Sequence, residues 1–395
     1  MAKVKRDAED FRVEEVVRDL DLHRQGPYVW YRVQKRWLTT PNLIRQMSRW
    51  LQRPAKFFSY GGLKDKHAVT TQYISVYGDG PEQINSKKFR AVRVGYRDVP
   101  IGPTMLAGNR FEIVLRDVSD AEVERLREHR IYLLESGLPN YFDDQRFVHQ
   151  KGPRNSVALQ LVRRRFEEAF RAYIAEVVPG KWSRLRPLSQ QILQNWGRWQ
   201  AVLENNWIPR SLRRALTYLH AHPGDFQGAL YSLDLLDLRL NLSGLQSFFW
   251  NELLGRYLEK LLGAGLTWVR GAWQHYAFYL SLPKETLSEL RELEIPMPGP
   301  EWDSENQELK EILAEILEEY DLTLADFALP RVRNLHFSRH RRRALVFPEE
   351  FEMSAPEPDS YYPGRWAVRL KFFLPRGSYA TMVIKRLLLG KSLRD

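Results

Sequence analysis

Hydrophobic and polar positions alternate along much of the first 120 residues, as they do in half-buried β-strands. The segment from Phe11 to Val17 follows this pattern, and residues 27–33 form an apolar run typical of a buried strand. Further strands are predicted over 72–77, 89–96 and 109–116. Between them, a Thr-Pro pair opens a helix predicted from Thr40 to Leu51, and a second helix is predicted over 121–137.

From about residue 155 to 325 the apolar spacing becomes helical. The predicted helices cover 161–178, 189–203, 209–219, 243–262 and 306–319. Strand patterns return at 344–347 and 365–374, and the chain ends in a short helix. Sheet-forming ends around a helical middle predict one α+β domain that is interrupted by a helical insertion.

The composition narrows the classes of function. The 395 residues include no cysteine, which excludes disulfides, thiolate catalysis and zinc or iron–sulfur sites built on cysteine. The chain has no apolar run of about 18 residues and its first residues lack the apolar core of a signal peptide, so we expect a cytoplasmic protein without a membrane contact.

Charge is distributed unevenly along the chain. The net charge is +11, yet the segment from Lys284 to Asp326 contains 14 acidic and 3 basic residues, a local charge of −11. The rest of the chain therefore carries +22. A basic body of this kind favours a polyanionic partner, and nucleic acid is the commonest one.

One short polar segment stands out as candidate chemistry. Residues 61–72 read Gly-Gly-Leu-Lys-Asp-Lys-His-Ala-Val-Thr-Thr-Gln and follow the apolar patch at 57–60. Asp65 lies between Lys64 and Lys66, and neighbouring cations favour the charged form of a carboxylate. An ionised aspartate on a loop can act as a nucleophile, whereas an isolated Lys-Asp-Lys sequence is most often a capped turn.

Five blocks of sequence, in order, resemble the TruD-type family of RNA pseudouridine synthases. They span positions 8 to 381, and two of them depart from the family pattern, with Ala8 in place of proline and Asp143 in place of glycine. The blocks are Ala8-Glu9-Asp10-Phe11-Arg12-Val13-Glu14-Glu15, Gly62 to Gln72, Gly108-Asn109-Arg110-Phe111-Glu112-Ile113-Val114-Leu115-Arg116, Pro139-Asn140-Tyr141-Phe142-Asp143-Asp144-Gln145-Arg146-Phe147, and Leu374-Pro375-Arg376-Gly377-Ser378-Tyr379-Ala380-Thr381.

This resemblance implies an enzyme that isomerises a uridine of tRNA to pseudouridine, at position 13 in the family precedent, with Asp65 as the catalytic nucleophile. It implies no cofactor and no metal, and we expect a monomer that binds tRNA or another structured RNA. The implied fold is a mixed, mainly antiparallel sheet of the pseudouridine synthase type. Residues 1–154 and 336–395 would form the catalytic domain, and 155–335 a mostly helical insertion across a basic cleft.

The resemblance also assigns substrate contacts. Phe11, Asn109, Phe111 and Tyr379 fall where the family places its uridine-contacting groups. An aromatic side chain can replace the stacking that an extruded base loses, and an amide can read the polar edge of uracil. For Phe11 and Phe111, packing in the core of alternating strands is the competing interpretation.

Basic residues are predicted to follow the RNA backbone. One group is an arginine-rich run over 331–343, for which a solvated charged surface is the alternative. His67, by contrast, is interpreted as a structural residue of its loop. The predicted supporting or backbone-contacting residues are Lys64, Lys66, Arg146, Arg339, Arg341 and Arg342.

Two other functions stay open on the sequence alone. A protein that binds or folds RNA could use the same scaffold without chemistry. A glycosylase could use the same aspartate and would release free uracil, whereas isomerisation leaves the mass of the RNA unchanged.

Overall fold

The computed structural model describes residues 2–147, 152–178, 185–205, 207–329 and 335–390. The chain divides into two compact units. The first unit is Met1–Gly137 with Val346–Leu388, and the second is Leu138–Leu345 with Leu389–Asp395. The domain limits predicted at residues 154 and 335 stay a prediction.

Sixteen strands are found within the described residues. In chain order they are β1 (Phe11–Val17), β2 (Tyr28–Arg36), β3 (Phe58–Tyr60), β4 (Val69–Tyr77), β5 (Gln83–Asn85), β6 (Phe89–Arg97), β7 (Leu106–Val118), β8 (Leu138–Pro139), β9 (Leu266–Arg270), β10 (His275–Tyr279), β11 (Glu294–Pro296), β12 (Arg341–Arg343), β13 (Leu345–Val346), β14 (Glu349–Met353), β15 (Glu357–Pro358) and β16 (Trp366–Pro375).

Twelve α-helices are found in the same described residues. They are α1 (Thr40–Trp50), α2 (Asp120–Ser136), α3 (Val157–Val162), α4 (Phe166–Ala172), α5 (Arg186–Gln194), α6 (Trp199–Leu203), α7 (Arg210–Ala221), α8 (Phe226–Tyr231), α9 (Leu235–Leu262), α10 (Lys284–Glu292), α11 (Gln307–Glu318) and α12 (Ala380–Leu387).

A ten-stranded sheet forms the centre of the first unit. Its order is β14-β16-β7-β1-β4-β2-β6-β5, with β15 paired to β16 and β3 paired to β4. Only the β1–β4 pair is parallel among these strands. The predicted α+β class with a mixed, mainly antiparallel sheet is thereby confirmed.

The two faces of this sheet differ in chemistry, because side chains alternate along each strand. On β1, Phe11, Val13 and Glu15 are buried, and they stand opposite Ile113, Phe111 and Asn109 of β7. Helix α1 packs its apolar side on the β2–β4–β6 part of the sheet. The opposite face carries paired charges, such as Arg110 with Glu350.

Local sequence signals explain where the helices of the first unit begin and end. The Thr39 hydroxyl accepts a hydrogen bond from the Asn42 amide at the start of α1. Ser119 and Glu122 form a capping box at the start of α2. Helix α2 ends at Gly137, whose φ of 64° lies in the left-handed region.

The second unit is built around the 28-residue helix α9, which is buried along most of its length. Helices α3 and α11 pack on it. A separate aromatic cluster joins the smaller helices, in which Trp196 stacks on Phe226 at 5.7 Å and Trp199 meets Phe170 edge-on. These tryptophans therefore belong to the packing of the unit.

Two features of the second unit differ from the sequence prediction. The helix predicted over 161–178 is broken at Arg164, whose φ of 60° ends α3 before α4 begins. A hairpin of β9 and β10 lies in the region predicted as helical. Within the described residues, no helix is long and apolar enough to cross a membrane.

Candidate active site

The loop that carries Asp65 runs between β3 and β4 of the central sheet. Gly61 begins it in close contact with Leu106 of β7, where a Cβ atom would stand 2.8 Å from the leucine methyl carbons. A larger residue at this point would therefore require the Leu106 side chain or the loop to shift. Since β4 is parallel to β1, the loop enters the sheet directly beside β1.

The Asp65 carboxylate is exposed and is paired with a lysine from the start of the chain. Lys5 Nζ lies 2.6 Å from Asp65 Oδ2. The sequence predicted instead that Lys64 and Lys66 would face this carboxylate. Lys64 turns inward to a different carboxylate, Lys66 is exposed, and the cation in contact with Asp65 is Lys5.

Lys5 is held in a conformation that is unusual for a lysine. Its φ of 61° lies in the left-handed region, which residues other than glycine adopt seldom and at an energetic cost. Its ammonium also lies 4.1 Å from the centre of the Phe11 ring, a cation–π contact. One side chain therefore joins the carboxylate to the aromatic part of the site.

Three phenylalanines form that aromatic part. Phe11 meets Phe111 edge-on with ring centres 6.2 Å apart, and Phe111 lies 5.6 Å from Phe372 of β16. Phe11 is 4% exposed, whereas Phe111 is half-buried. Phe111 thus offers ring surface to a ligand, and Phe11 serves chiefly as packing.

The remaining predicted substrate contacts lie at the same end of the sheet. Asn109 is half-buried on β7 and pairs in register with Leu374 near the end of β16. Tyr379 follows β16 after a turn through Gly377 (φ 91°) and is the N-cap residue of α12. The structure thus brings Phe11, Asn109 and Phe111 together, with Tyr379 in the adjoining turn.

Glu15, Lys64 and Asn109 form a polar trio, in which Glu15 is fully buried and the other two residues are partly buried. Glu15 has no exposed side-chain surface, and its Oε1 is 3.0 Å from Lys64 Nζ. Lys64 Nζ donates a hydrogen bond of 2.6 Å to Asn109 Oδ1. The other Glu15 oxygen accepts the Tyr73 backbone N–H at 2.9 Å. Lys64 is therefore engaged inside the fold rather than presented to a phosphate.

A second buried lysine supports the backbone of the loop. Lys35 is 1% exposed, and its ammonium donates to the carbonyl oxygens of Leu38 (2.6 Å), Asp65 (2.8 Å) and Lys64 (3.3 Å). Burial lowers the pKa of Lys35 to about 8; the nearby Asp65 carboxylate raises it and Lys64 lowers it.

Neutral side chains complete the support of the loop. The Lys64 backbone N–H donates to the Thr40 hydroxyl at 3.1 Å, and that hydroxyl donates to Gln72 Oε1 at 2.9 Å. His67 meets Trp37 edge-on at 5.2 Å. Its placement accords with a structural role.

The predicted backbone-contacting arginines lie in the second unit and fall into two groups. Arg339 and Arg341 are exposed, and Arg339 pairs with Glu301 at 2.8 Å. Arg331 and Arg333 of the same basic run lie outside the described residues. The first group therefore keeps its predicted role as a candidate.

Arg342 and Arg146 are engaged in the structure of the second unit. Arg342 is 7% exposed, donates to the carbonyl and side-chain oxygens of Asn140 at 2.7 Å, and lies 4.0 Å from the Phe142 ring centre. Arg146 donates to Ser243 and Ser247. A buried arginine cannot track an RNA backbone, so this placement does not support the predicted role of Arg342.

Three residues of the site were missed by reasoning from the sequence: Lys5, Glu15 and Lys35. Glu15 and Lys35 could have been found from strand parity, because each stands at an inward-facing position of its strand. Lys5 carries no such signal. Among the described residues, no group of three or more histidine or acidic side chains could hold a metal ion.

Comparisons with known proteins identify the family of the chain. The family model "tRNA pseudouridine synthase D (TruD)" matches residues 1–271 and 284–387. "Probable tRNA pseudouridine synthase D 1" of Methanococcus maripaludis is 28% identical over 97% of this chain and 98% of its own length. The "tRNA pseudouridine synthase D" of Aquifex aeolicus is 27% identical over 98% of this chain and 97% of its own length.

A solved structure gives the same result for the fold. The crystal structure of the TruD protein from Methanosarcina mazei superposes with a TM-score of 0.70 at 25% identity, covering 100% of this chain and 95% of that one. With the family model matched along both units and the relatives matched end to end, the chain belongs to the TruD family of tRNA pseudouridine synthases, and it is an isomerase of that family.

Proposed function

We propose that this enzyme converts a single uridine of tRNA, the one at position 13, to pseudouridine, with Asp65 as the nucleophile and without a cofactor. The observation that carries the proposal is the exposed Asp65 carboxylate, held at 2.6 Å by Lys5, whose ammonium also lies 4.1 Å from the centre of the Phe11 ring. The family precedent supplies the position in the tRNA.

The reaction needs a nucleophile that attacks the sugar and a uracil that can rotate after it is detached. The Asp65 carboxylate attacks C1′ of the target nucleotide as the bond from C1′ to N1 of uracil breaks, which leaves an ester on Asp65. The detached uracil rotates, and its C5 forms the new bond to C1′ while the carboxylate departs. C5 then loses its proton and N1 gains one, so that substrate and product have equal mass.

The residues around Asp65 have separate tasks in this proposal. Lys5 fixes the direction of the carboxylate, and its other contact, with Phe11, fixes the lysine itself. The target base must leave its stack, and Phe111 offers a ring face in exchange. Asn109 on β7 and Tyr379 in the turn after β16 are proposed to contact the uridine.

Recognition of the rest of the tRNA is proposed to rest on basic side chains. Lys66, Arg339 and Arg341 are exposed and are the candidates for phosphate contacts. Because such contacts release counterions, affinity for tRNA is expected to fall steeply as salt is added. If the affinity for tRNA stays constant as the salt concentration rises, the proposed phosphate contacts of these residues are wrong.

The test is to map pseudouridine by carbodiimide labelling and reverse transcription on host tRNA. The proteins compared are the wild type, Asp65→Asn, and the matched control Asp98→Asn, which alters an exposed carboxylate between β6 and β7. With the wild type and with Asp98→Asn, we expect reverse transcription to stop at one labelled uridine. With Asp65→Asn we expect no such stop, although all three proteins should bind tRNA.

Other results would point elsewhere. A reverse-transcription stop that persists with Asp65→Asn would refute the role of Asp65 as the nucleophile. Binding without any stop, even on total RNA, would indicate an RNA-binding protein, and release of free uracil would indicate a glycosylase.

A further inference from the structure

The polar trio of Glu15, Lys64 and Asn109 sets the direction of one amide group. Glu15 on β1 and Asn109 on β7 stand opposite each other in the sheet register, and both project from the same face. Lys64 lies between them, with 9% of its side chain exposed and its ammonium 3.0 Å from Glu15 Oε1 and 2.6 Å from Asn109 Oδ1.

The chemistry of the lysine determines which end of the Asn109 amide it meets. An ammonium group has three donors and no acceptor, so the atom that faces Lys64 must be the carbonyl oxygen of the amide. The NH₂ group of Asn109 then points away from Lys64. Within the described residues, no acceptor takes its hydrogens, and the side chain is half-buried, so a ligand can reach them.

Glu15 is what keeps Lys64 in this place. A carboxylate with no exposed surface needs a cation nearby, because an unpaired buried charge is strongly destabilising. Lys64 supplies that charge and cannot swing to solvent without leaving Glu15 unpaired. The direction of the Asn109 amide is therefore fixed before any ligand binds.

The free edge of Asn109 borders the proposed reaction site. Lys64 is the chain neighbour of Asp65, and Asn109 is two residues from Phe111 on the same strand face. A base that stacks on Phe111 would bring its polar edge toward the donors of Asn109.

We propose that Glu15 and Lys64 are positioning residues that hold Asn109 as a hydrogen-bond donor to O4 of uracil, and that this contact selects uracil against cytosine. The two pyrimidines share O2 and differ at N3 and C4, and at C4 uracil has a carbonyl acceptor where cytosine has an amino donor. An amide free to rotate could accept from cytosine; one fixed by Lys64 meets the cytosine amino group donor against donor. This inference rests on the proposed function, since it takes Asp65 and Phe111 as the reaction site.

The test measures binding of RNA oligonucleotides that differ only in the target base, which is uridine, cytidine, 4-thiouridine or 2-thiouridine. All measurements use the Asp65→Asn background, which prevents turnover. The key protein adds Glu15→Gln and Lys64→Met together, because removing both charges leaves no unpaired buried charge. Lys64→Arg is the conservative variant, and Lys87→Met, an exposed lysine before β6, is the matched control.

We expect the background protein and the Lys87→Met control to prefer uridine over cytidine by about tenfold or more, as the loss of one buried hydrogen bond predicts. They should bind 4-thiouridine more weakly than 2-thiouridine, because sulfur is the poorer acceptor. In the Glu15→Gln, Lys64→Met protein the preference for uridine should fall to about threefold or less, while Lys64→Arg should keep it. A role confined to folding would weaken binding of every RNA alike and leave this ratio unchanged.

Three results would overturn the inference. They are an unchanged uridine preference in the double variant, a stronger effect of 2-thiouridine than of 4-thiouridine, and loss of the preference with Lys64→Arg in a protein that keeps its melting temperature. Pseudouridine formation by the wild type is measured in parallel. Its absence would count against the proposed function, whereas its presence with an unchanged ratio would count against this inference alone.

Discussion

Lys35 gives a prediction about pH that can be worked through from its surroundings. It is 1% exposed, and burial lowers its pKa from 10.5 to about 8. Between pH 8 and 10.5 the unfolded chain keeps the proton of Lys35 and the folded chain does not. Unfolding therefore takes up one proton in this window, and the contribution of Lys35 to stability rises with pH.

The size of the effect follows from the shift. One pKa unit corresponds to about 1.4 kcal/mol, so the contribution of Lys35 should rise by about 3 kcal/mol from pH 7 to pH 10.5. Below pH 8 both states hold the proton and the contribution is constant. Other groups titrate over the same range, but their effects cancel when the wild type is compared with Lys35→Met at each pH.

The assay is urea unfolding of the wild type, Lys35→Met and the exposed-lysine control Lys87→Met at several pH values from 7 to 10.5. The free energy of unfolding of the wild type minus that of Lys35→Met should increase by about 3 kcal/mol across the range. The same difference for Lys87→Met should stay constant. A difference for Lys35→Met that is flat, or that falls with pH, would show that the ammonium is not destabilised by its burial and would refute the reasoning.

Three further variants test packing, each by urea unfolding at pH 7. Gly108→Ala should destabilise by at least about 2 kcal/mol, because its Cβ would collide with a backbone carbonyl of β16, whereas Gly102→Ala, with open space around it, should change little. Arg342→Met should destabilise by about 3 kcal/mol, because two oxygens of Asn140 lose a charged donor. Gly137→Ala should destabilise by about 2 kcal/mol, because φ is 64° and a carbonyl oxygen lies 2.8 Å from the new Cβ. Stability equal to the wild type in any of the three would contradict the corresponding contact.

The sheet of the first unit was predictable because its strands are marked locally. Strands β6 and β7 contain the predicted segments 89–96 and 109–116 and extend them by a few residues. Alternation and flanking turn residues act within a few positions, so they can be read without knowing the partner strand. The order of the strands in the sheet could not be predicted from these local signals and is known from the structure.

The helical middle was predicted less well, because its exceptions depend on distant contacts. Strands β9 and β10 are five residues each, and within the described part of the chain they form a separate two-stranded sheet. Aromatic residues such as Tyr276 and Phe278 suit a strand as well as a buried helix. At the break, the Arg164 guanidinium likewise makes a distant contact, a hydrogen bond of 2.6 Å to the carbonyl of Ala328.

The candidate site likewise contains residues that the sequence predicts and residues that only the structure reveals. The motif points to Asp65, because the motif is contiguous, but its partner Lys5 is 60 residues away and is found only in three dimensions. Two basic residues that a sequence would place on the surface, Lys64 and Arg342, turn inward, and each donates hydrogen bonds to oxygen atoms from elsewhere in the chain. Charge in a sequence predicts a partner for the whole protein better than it predicts the location of one side chain.

The position of β16 in the sheet affects how the protein is made. Strand β7 ends at Val118 and its neighbour β16 begins at Trp366, so roughly 250 residues are synthesised between them. At ribosomal speeds of about 5–20 residues per second, one edge of the 13-residue β7 stays without its partner for about 12–50 seconds. An unpaired strand edge is a template for aggregation. Newly made chains should therefore be most vulnerable in this interval, and a chaperone that shields β7 would raise the yield of folded enzyme.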